Sequence, residues 1–336
     1  VTAACRRVTA SAPAKTNLVL HVGSPSPDGY HPLETLFVAV DLRETVTVTL
    51  DPALARRDAG ITVTVEPAPG SEYARMVAEG SARLADVPLD AGNLAVRAAL
   101  AVCEAFGAPV PGLRVHLRKA VPVAGGMGGG SADAAAALVA VNDLLAGHLG
   151  AAPLPAERLA RLGAALGADV PFMLLGGAAI GRGTGTELTA VPGPSGLHFV
   201  FVPQDQGLST PAVYRQWDAE HTVANAASGT GSAPDPVPAE ALEALAVGDP
   251  ERLAARVRND LQAPAIRLLP ELEGLLNHGV DLGALAGWVS GSGPTLCFLA
   301  ASGTAARNLA GQFAHERRHA LAVAGPVPGA RVEARG

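Results

Sequence analysis

The sequence predicts an α+β protein in two lobes. Three observations carry this: β-rich runs with period-two Thr and Val open the chain, helical and strand patterns then mix in both halves, and no internal repeat divides either half. At 336 residues the chain can form one large domain or two of ordinary size. The lobes are assigned to residues 1–175 and 176–336, with the junction in the glycine-rich region between Gly167 and Pro194.

The elements follow in order. "VTASAPAKTNLVLHVG", 8–23, begins as a strand, and "PSPDGYHPLE", 25–34, is a turn or loop dense in Pro, Asp and Gly. "TLFVAVDLRETVTVTL", 35–50, reads as one or two strands, and "ITVTVEP", 61–67, as another. "GNLAVRAALAVCEAFG", 92–107, is a helix with an Asn near its start and a Gly at its end. "GLRVHLRKAVPV", 112–123, is a strand leading into a glycine loop. The helix "SADAAAALVAVNDLLAG", 131–147, follows, with Ser131 as its N-cap and Gly147 at its end. A second helix, "LPAERLARLGAALG", stops at Gly167, and a glycine-rich turn then leads into strands up to Val191.

In the second half, "HFVFVPQ" is a strand, and "STPAVYRQWDAEH", 209–221, is a helix with Pro211 in its first turn. "ANAASGTGSAPDPVP" has few large apolar residues, so about 219–238 reads as an exposed loop insert. Two or three short helices, the strand "TLCFLA", the helix "GTAARNLAGQFAHERR" and the strand "GARVEA" complete the chain.

Composition narrows the function. Hydrophobic residues are 49% and charged residues 17%, which suits a soluble core-forming protein, and the net charge of −6 disfavours nucleic acid or an anionic membrane as partner. No uninterrupted apolar run reaches about 18 residues, and the N-terminal stretch lacks the apolar core of a signal peptide. Cys5, Cys103 and Cys297 form neither a disulfide framework nor a C-x-x-C pattern, so a cytoplasmic location is expected. Only two of the 25 Lys and Arg residues are lysines, Lys15 and Lys119. A chain that otherwise uses Arg for positive charge keeps Lys where a compact, mobile ammonium is needed.

The loop "VPVAGGMGGGSADAAAAL" holds Gly125, Gly126, Gly128, Gly129 and Gly130, followed by Ser131. Such a loop lets backbone N–H groups converge on an anion at a helix N-terminus, or it lets a helix and strand pack closely. A P-loop is excluded, because Ser131 and Ala132 stand where its lysine belongs. A dinucleotide fingerprint is excluded by the loop's mid-chain position and glycine spacing.

Three segments taken together are more specific. "APAKTNLVLHV", "PVAGGMGGGSADAAAAL" and "VSGSGPTLCFL" resemble, in order and spacing, the three signature motifs of the GHMP kinase superfamily. "PAKTNLVLHV" followed by "DGYHPLETLF" is similar to the branch that phosphorylates a cytidine-diphosphate-linked methylerythritol in the non-mevalonate isoprenoid pathway. "NLAVRAA", "LGADVPFMLLGGAAIGRGTGTEL" and "RNDLQAPAI" match its other blocks. The resemblance implies a two-lobed fold, an ATP-binding N-terminal lobe and an active site in the cleft between lobes. It implies transfer of the ATP γ-phosphate to the 2-hydroxyl of the methylerythritol moiety, with Mg²⁺, in a monomer or homodimer. A homoserine- or mevalonate-type kinase, or a non-catalytic nucleotide-binding protein on the same fold, stands as the alternative.

The resemblance also assigns roles. Asp169, in "GADVP", is the base for the acceptor hydroxyl rather than a turn or capping Asp, and Lys15 is the ammonium beside it and the transferring phosphate. Pro122, Gly125, Gly126, Gly128, Gly129, Gly130 and Ser131 hold the ATP phosphates, and Ser131 is the candidate metal ligand. Asn93 and Leu94 line the adenine pocket, unless they are an ordinary helix start. Tyr30 and His31 recognise the cytosine by stacking and by hydrogen bonds from the imidazole, and Tyr214 is the second stacking ring. Asn17 and Thr210 contact the methylerythritol part, and Lys119 could reach nucleotide or solvent without an assigned role. Thr16 and Met127 depart from the usual Ile and Leu of their motifs without removing a catalytic group.

Overall fold

The computed structural model describes residues 6–26, 29–55, 60–123, 125–193, 196–228 and 233–336. The first lobe runs β1 (Arg7–Val22), β2 (Leu33–Leu50), α1 (Pro52–Ala55), β3 (Ile61–Pro67), α2 (Glu72–Glu79), α3 (Leu94–Ala105), β4 (Leu113–Lys119), α4 (Gly129–Leu149), α5 (Ala156–Leu166) and α6 (Val170–Leu175). It continues through β5 (Ala178–Gly183) and β6 (Glu187–Val191) into β7 (Leu197–Val202), α7 (Thr210–Ser228), α8 (Ala239–Val247), α9 (Pro250–Ala254) and β8 (Arg258–Asn259). The chain closes with α10 (Gln262–Leu268), α11 (Glu271–Asp281), β9 (Ala286–Val289), β10 (Leu296–Ala300), α12 (Gly303–His315), β11 (Leu321–Gly325) and β12 (Arg331–Arg335). This is the expected α+β class.

Two sheets organise the molecule. One orders its strands β12-β1-β2-β4-β3, with β5 on β2, β6 on β5 and β8 on β1; the other runs β11-β7-β10-β9. β1 and β2 pair antiparallel over nearly their full lengths, with register shifts at Pro13/Ala14 and Asn17/Val19. Such irregularities re-aim side chains, and these two flank Lys15 and Asn17. Those residues are two apart on one strand, so they face the same side.

The helices cover the first sheet. α4 is small-residue rich, with Ala132 and Ala134–Ala137 fully buried, which lets it lie close against β1, β2 and α3. It is long and apolar enough to cross a bilayer, but 72% of its most apolar window is buried inside the fold, as in a core helix. A second core joins the lobes: Leu36, Val38 and Val40 of β2 pack with Phe199 and Phe201 of β7 and with Ala241 and Leu245 of α8. A third fills the second lobe between β7, β10 and helices α7, α10, α11 and α12.

Several expectations are corrected. Ser131 is not the N-cap of α4: the cap is Gly128, at φ 74°, and Ser131 lies in the first turn. The helix does not stop at Gly147 but at Leu149, with left-handed Gly150 as its cap. Left-handed backbone is accessible to Gly at little cost, so Gly128 can turn the chain sharply into the helix. The expected insert is partly helical, because α7 continues to Ser228; residues 229–232 lie outside the described residues and 233–238 carry no regular structure. The sequence also concealed two helices. α2 is capped by Ser71, whose hydroxyl accepts from the Ala74 N–H. The six-residue α6 begins where a glycine-rich turn was expected.

Candidate active site

β1 delivers Lys15 and α6 delivers Asp169 to one cleft. Lys15 Nζ lies 3.5 Å from Asp169 Oδ2 and donates to Asn17 Oδ1 at 2.9 Å. Asn17 in turn donates to Thr35 Oγ1 at 2.8 Å, and Thr35 donates to the Val19 carbonyl at 2.7 Å. This buried chain fixes where the ammonium points. The Lys15 side chain is 6% exposed and that of Asp169 is 30%, so the cation is held in the wall while the carboxylate reaches the cleft. Asp169 precedes the first residue of α6, but its side chain makes no capping hydrogen bond. The capping alternative therefore fails, and the carboxylate is left to the cleft.

The glycine loop is wedged between Lys15 and the third sequence motif. The Lys15 N–H donates to the Met127 carbonyl at 3.1 Å, and Ser290 Oγ donates to the Gly126 carbonyl at 3.4 Å. A Cβ on Gly126 would collide with the Ser290 carbonyl oxygen, and one on Gly128 with the Met173 side chain. Both glycines have positive φ as well, 73° and 74°. Close packing thus requires both glycines. Gly126, Gly128 and Ser131 line the large cleft, while Gly129, Gly130 and Pro122 face a smaller cavity behind it. Gly125 opens onto neither: a Cβ there would stand 2.6 Å from Thr295 Oγ1. Its smallness seats the loop on the third motif.

The large cleft has a volume of about 710 Å³. Tyr30, 66% exposed, stands at its rim as an unburied aromatic face. The rings of His31 and Tyr214 are 5.0 Å apart and tilted by 36°. Tyr214's hydroxyl is pushed well above its ordinary pKa by burial and by the Asp169 charge, so it stays neutral beside the carboxylate. Thr210 Oγ1 hydrogen-bonds Ser292 Oγ at 2.8 Å at the cleft edge. His31 differs from expectation in one respect. Its Nδ1 lies 2.9 Å from the Gly23 carbonyl and its Nε2 3.4 Å from Asp218 Oδ1, so both ring nitrogens already face acceptors. The ring is an anchored wall rather than a free hydrogen-bonding edge.

The smaller cavity, about 240 Å³, is lined by Asn93, Leu94, Pro88, Val123, Gly129 and Gly130, among others. Asn93 both caps α3, accepting from the Ala95 N–H at 2.9 Å, and braces the wall by donating to the Pro88 carbonyl at 2.7 Å. Asn93 is thus a helix cap that also lines this cavity. Lys119 lines the floor but does not reach solvent, contrary to expectation. It is fully enclosed, 2.5 Å from both Glu44 Oε1 and Asp133 Oδ2. Burial pushes Glu44 up to about 8 against the pull of Lys119, and it raises Asp133 as well. Burial alone would lower Lys119, but the two carboxylates outweigh it and hold its pKa high. The group sits directly under the first turn of α4, since a Cβ on Gly129 would be 3.2 Å from Glu44 Oε1.

Sequence reasoning missed Thr35, Arg215, Asp218 and Ser292 of the cleft lining. Arg215 and Asp218 carried a usable signal, because both fall on the helix face set by Thr210 and Tyr214. Glu44 carried none, since its partner in the chain is 75 residues away.

Comparisons with known proteins identify the family. Residues 93–177 match the model of the GHMP kinases N terminal domain, and residues 241–317 match GHMP kinases C terminal. The chain is 43% identical over 329 residues to the 4-diphosphocytidyl-2-C-methyl-D-erythritol kinase of Paenarthrobacter aurescens, covering 97% of this chain and 96% of that one. A solved 4-(cytidine 5′-diphospho)-2C-methyl-D-erythritol kinase superposes with a TM-score of 0.68 at 33% identity, over 94% of this chain and 98% of that one. A homoserine kinase from Cytophaga hutchinsonii superposes with a TM-score of 0.66 at 19% identity, over 97% of each chain, a likeness of fold.

Proposed function

Since the chain belongs to the GHMP kinase family, in its 4-diphosphocytidyl-2-C-methyl-D-erythritol kinase branch, we infer that it transfers the γ-phosphate of ATP to the 2-hydroxyl of 4-diphosphocytidyl-2-C-methyl-D-erythritol. The products are the 2-phosphate and ADP, and the step serves the non-mevalonate isoprenoid pathway. The observation that carries the site assignment is the Lys15–Asp169 pair, 3.5 Å apart, between the glycine loop and a cleft walled by Tyr30, His31 and Tyr214.

Phosphoryl transfer requires alignment and charge stabilisation more than covalent chemistry. Backbone N–H groups from Gly128 to Ser131, at the positive end of α4, cradle the ATP phosphates. Asn93 and Leu94 receive the adenine in the smaller cavity. Asp169 accepts the proton of the acceptor hydroxyl. Lys15 offsets the charge that grows on the transferring group. Tyr30 and Tyr214 stack on the cytosine, with His31 beside them. Asn17 and Thr210 flank the methylerythritol.

Mg²⁺ fits the site as a guest of the nucleotide. Among the described residues no group of three His, Cys, Asp or Glu side chains could enclose a metal. Mg²⁺ in kinases takes most of its ligands from phosphates and water, and the Ser131 hydroxyl in the same cleft would add one. The ion supplies charge neutralisation on the phosphates. A cytoplasmic location accords with the buried free thiols of Cys103 and Cys297.

ADP release coupled to a reporter reaction, with ATP, Mg²⁺ and the cytidyl acceptor, tests the assignment. Turnover is expected with that acceptor and not with homoserine or mevalonate. Tyr30→Ala is expected to raise the acceptor KM about tenfold, the scale of a lost base–aromatic stack, and to leave the ATP KM unchanged. Comparable turnover of homoserine or mevalonate, or none with any acceptor, would overturn the reading.

A further inference from the structure

The acceptor of this branch carries a diphosphate, and its charge has to be met somewhere in the cleft. Lys15 is committed to Asp169 and Asn17 at the reaction centre. The other fixed cation that lines the cleft is Arg215 of α7. Thr210, Pro211, Tyr214, Arg215 and Asp218 all line it, at positions i, i+1, i+4, i+5 and i+8, which is one face of a helix.

That face has a direction. At one end, Thr210 bonds Ser292 beside the glycine loop, and midway the Tyr214 ring lies 5.0 Å from that of His31. At the other end, Asp218 lies against His31. At 1.5 Å per residue the two ends are about 12 Å apart, comparable with an extended cytidine-diphosphate-linked tetritol. A ligand with its hydroxyl at Asp169 and its base at Tyr30 and His31 places its diphosphate between these ends. Arg215 is there, exposed, and among the described residues it has no ion pair. Other arginines nearby are occupied: Arg267 by Glu220, Arg258 by Asp260 and Arg182 by Glu34.

We propose that Arg215 is the diphosphate-reading residue of the acceptor site, a specificity determinant whose forked guanidinium binds the phosphate oxygens. The planar fork matches phosphate bidentately, which a lysine ammonium cannot do. The proposal rests on the acceptor assignment above, which the experiment tests separately.

The dissociation constants of CDP and of cytidine are measured for the wild-type enzyme, Arg215→Ala and Arg215→Lys, with thermal unfolding as a control for folding. The wild type is expected to bind CDP more tightly than cytidine. Arg215→Ala should weaken CDP by about tenfold or more, the scale of a lost charge-assisted hydrogen-bonded pair, and leave cytidine within about twofold. Arg215→Lys should fall between. In turnover, the acceptor KM should rise in Arg215→Ala while kcat at saturation stays within about threefold. Equal weakening of CDP and cytidine, or a CDP constant within twofold of wild type in both variants, overturns the role of Arg215. A wild-type enzyme that binds neither ligand instead overturns the acceptor assignment, and this inference with it.

Discussion

Asp169 and Lys15 form a pair whose two members do different work, and substitution should separate them. Asp169→Asn keeps the shape and removes the proposed proton acceptor. Because Asp169 caps nothing and is partly exposed, the variant should fold and bind ATP as before. Its kcat should fall by about a hundredfold or more, the scale of a lost general base; a rate near wild type would assign the acceptor's proton to another group. Lys15→Arg keeps the charge but not the compact ammonium that Asn17 holds at 2.9 Å. Rarity of lysine singled out Lys15 and Lys119 equally, yet the two have opposite fates. Lys15 was legible because its surrounding motif was. Lys119 was not, because the partner that buries it, Glu44, comes from a strand 75 residues upstream and no local pattern announces the pairing.

At the scale of elements, the start of α4 is the proposed phosphate site, and the buried group beneath it has a cost that depends on pH. Glu44 is pushed up to about 8 by burial, from an ordinary value near 4.5. The folded protein therefore binds a proton at Glu44 that the unfolded chain releases between these values. By linkage this contribution to stability is full below about pH 4.5 and is lost as pH rises toward about 8. Lys119, also raised, loses its contribution only at far higher pH. Glu44 in its protonated form adds no negative charge under the helix end proposed to receive phosphate. Glu44→Gln fixes the neutral form. Urea denaturation from pH 5 to 8 should show wild type losing stability relative to this variant as pH rises, with the difference levelling above about pH 8; a pH-independent difference would show that Glu44 is ionised throughout. The sequence announced α4 and its loop, because glycines and an alanine run are strong local signals. It misplaced the cap, because a left-handed Gly128 does the work assigned to Ser131. It also stopped α7 too early, since a stretch poor in large apolar residues still continues a helix already nucleated and packed at Val213 and Trp217.

At the scale of the molecule, the second lobe lends strands to the sheet of the first. β5, β6 and β12, all beyond residue 175, join the sheet begun by β1 and β2. β5 takes one edge of β2 from Leu33 to Val38, and β12 pairs with β1 from Val8 to Ser11. Arg335 clamps β12 to α4 through both oxygens of Asp143, and Arg43 of β2 donates to the Pro328 and Gly329 carbonyls. The other face of β2 is covered by β7 and α8 of the second lobe. Periodicity in one sequence shows which residues point inward but not which strand lies next to which, so this interleaving was illegible while the α+β class was plain. We propose that the division near residue 175 marks two lobes and not two independently folding units. The full chain should then unfold in one cooperative step, with coincident near- and far-ultraviolet circular dichroism transitions in urea. A fragment of residues 1–175 keeps the β1–β2 pair but loses β12 and β8 beside β1 and β5 beside β2, and it exposes Leu36, Val38 and Val40, so it should show no cooperative transition and should self-associate. A fragment that unfolds cooperatively as a monomer, or two resolved transitions in the full chain, would mean that each lobe closes its own core.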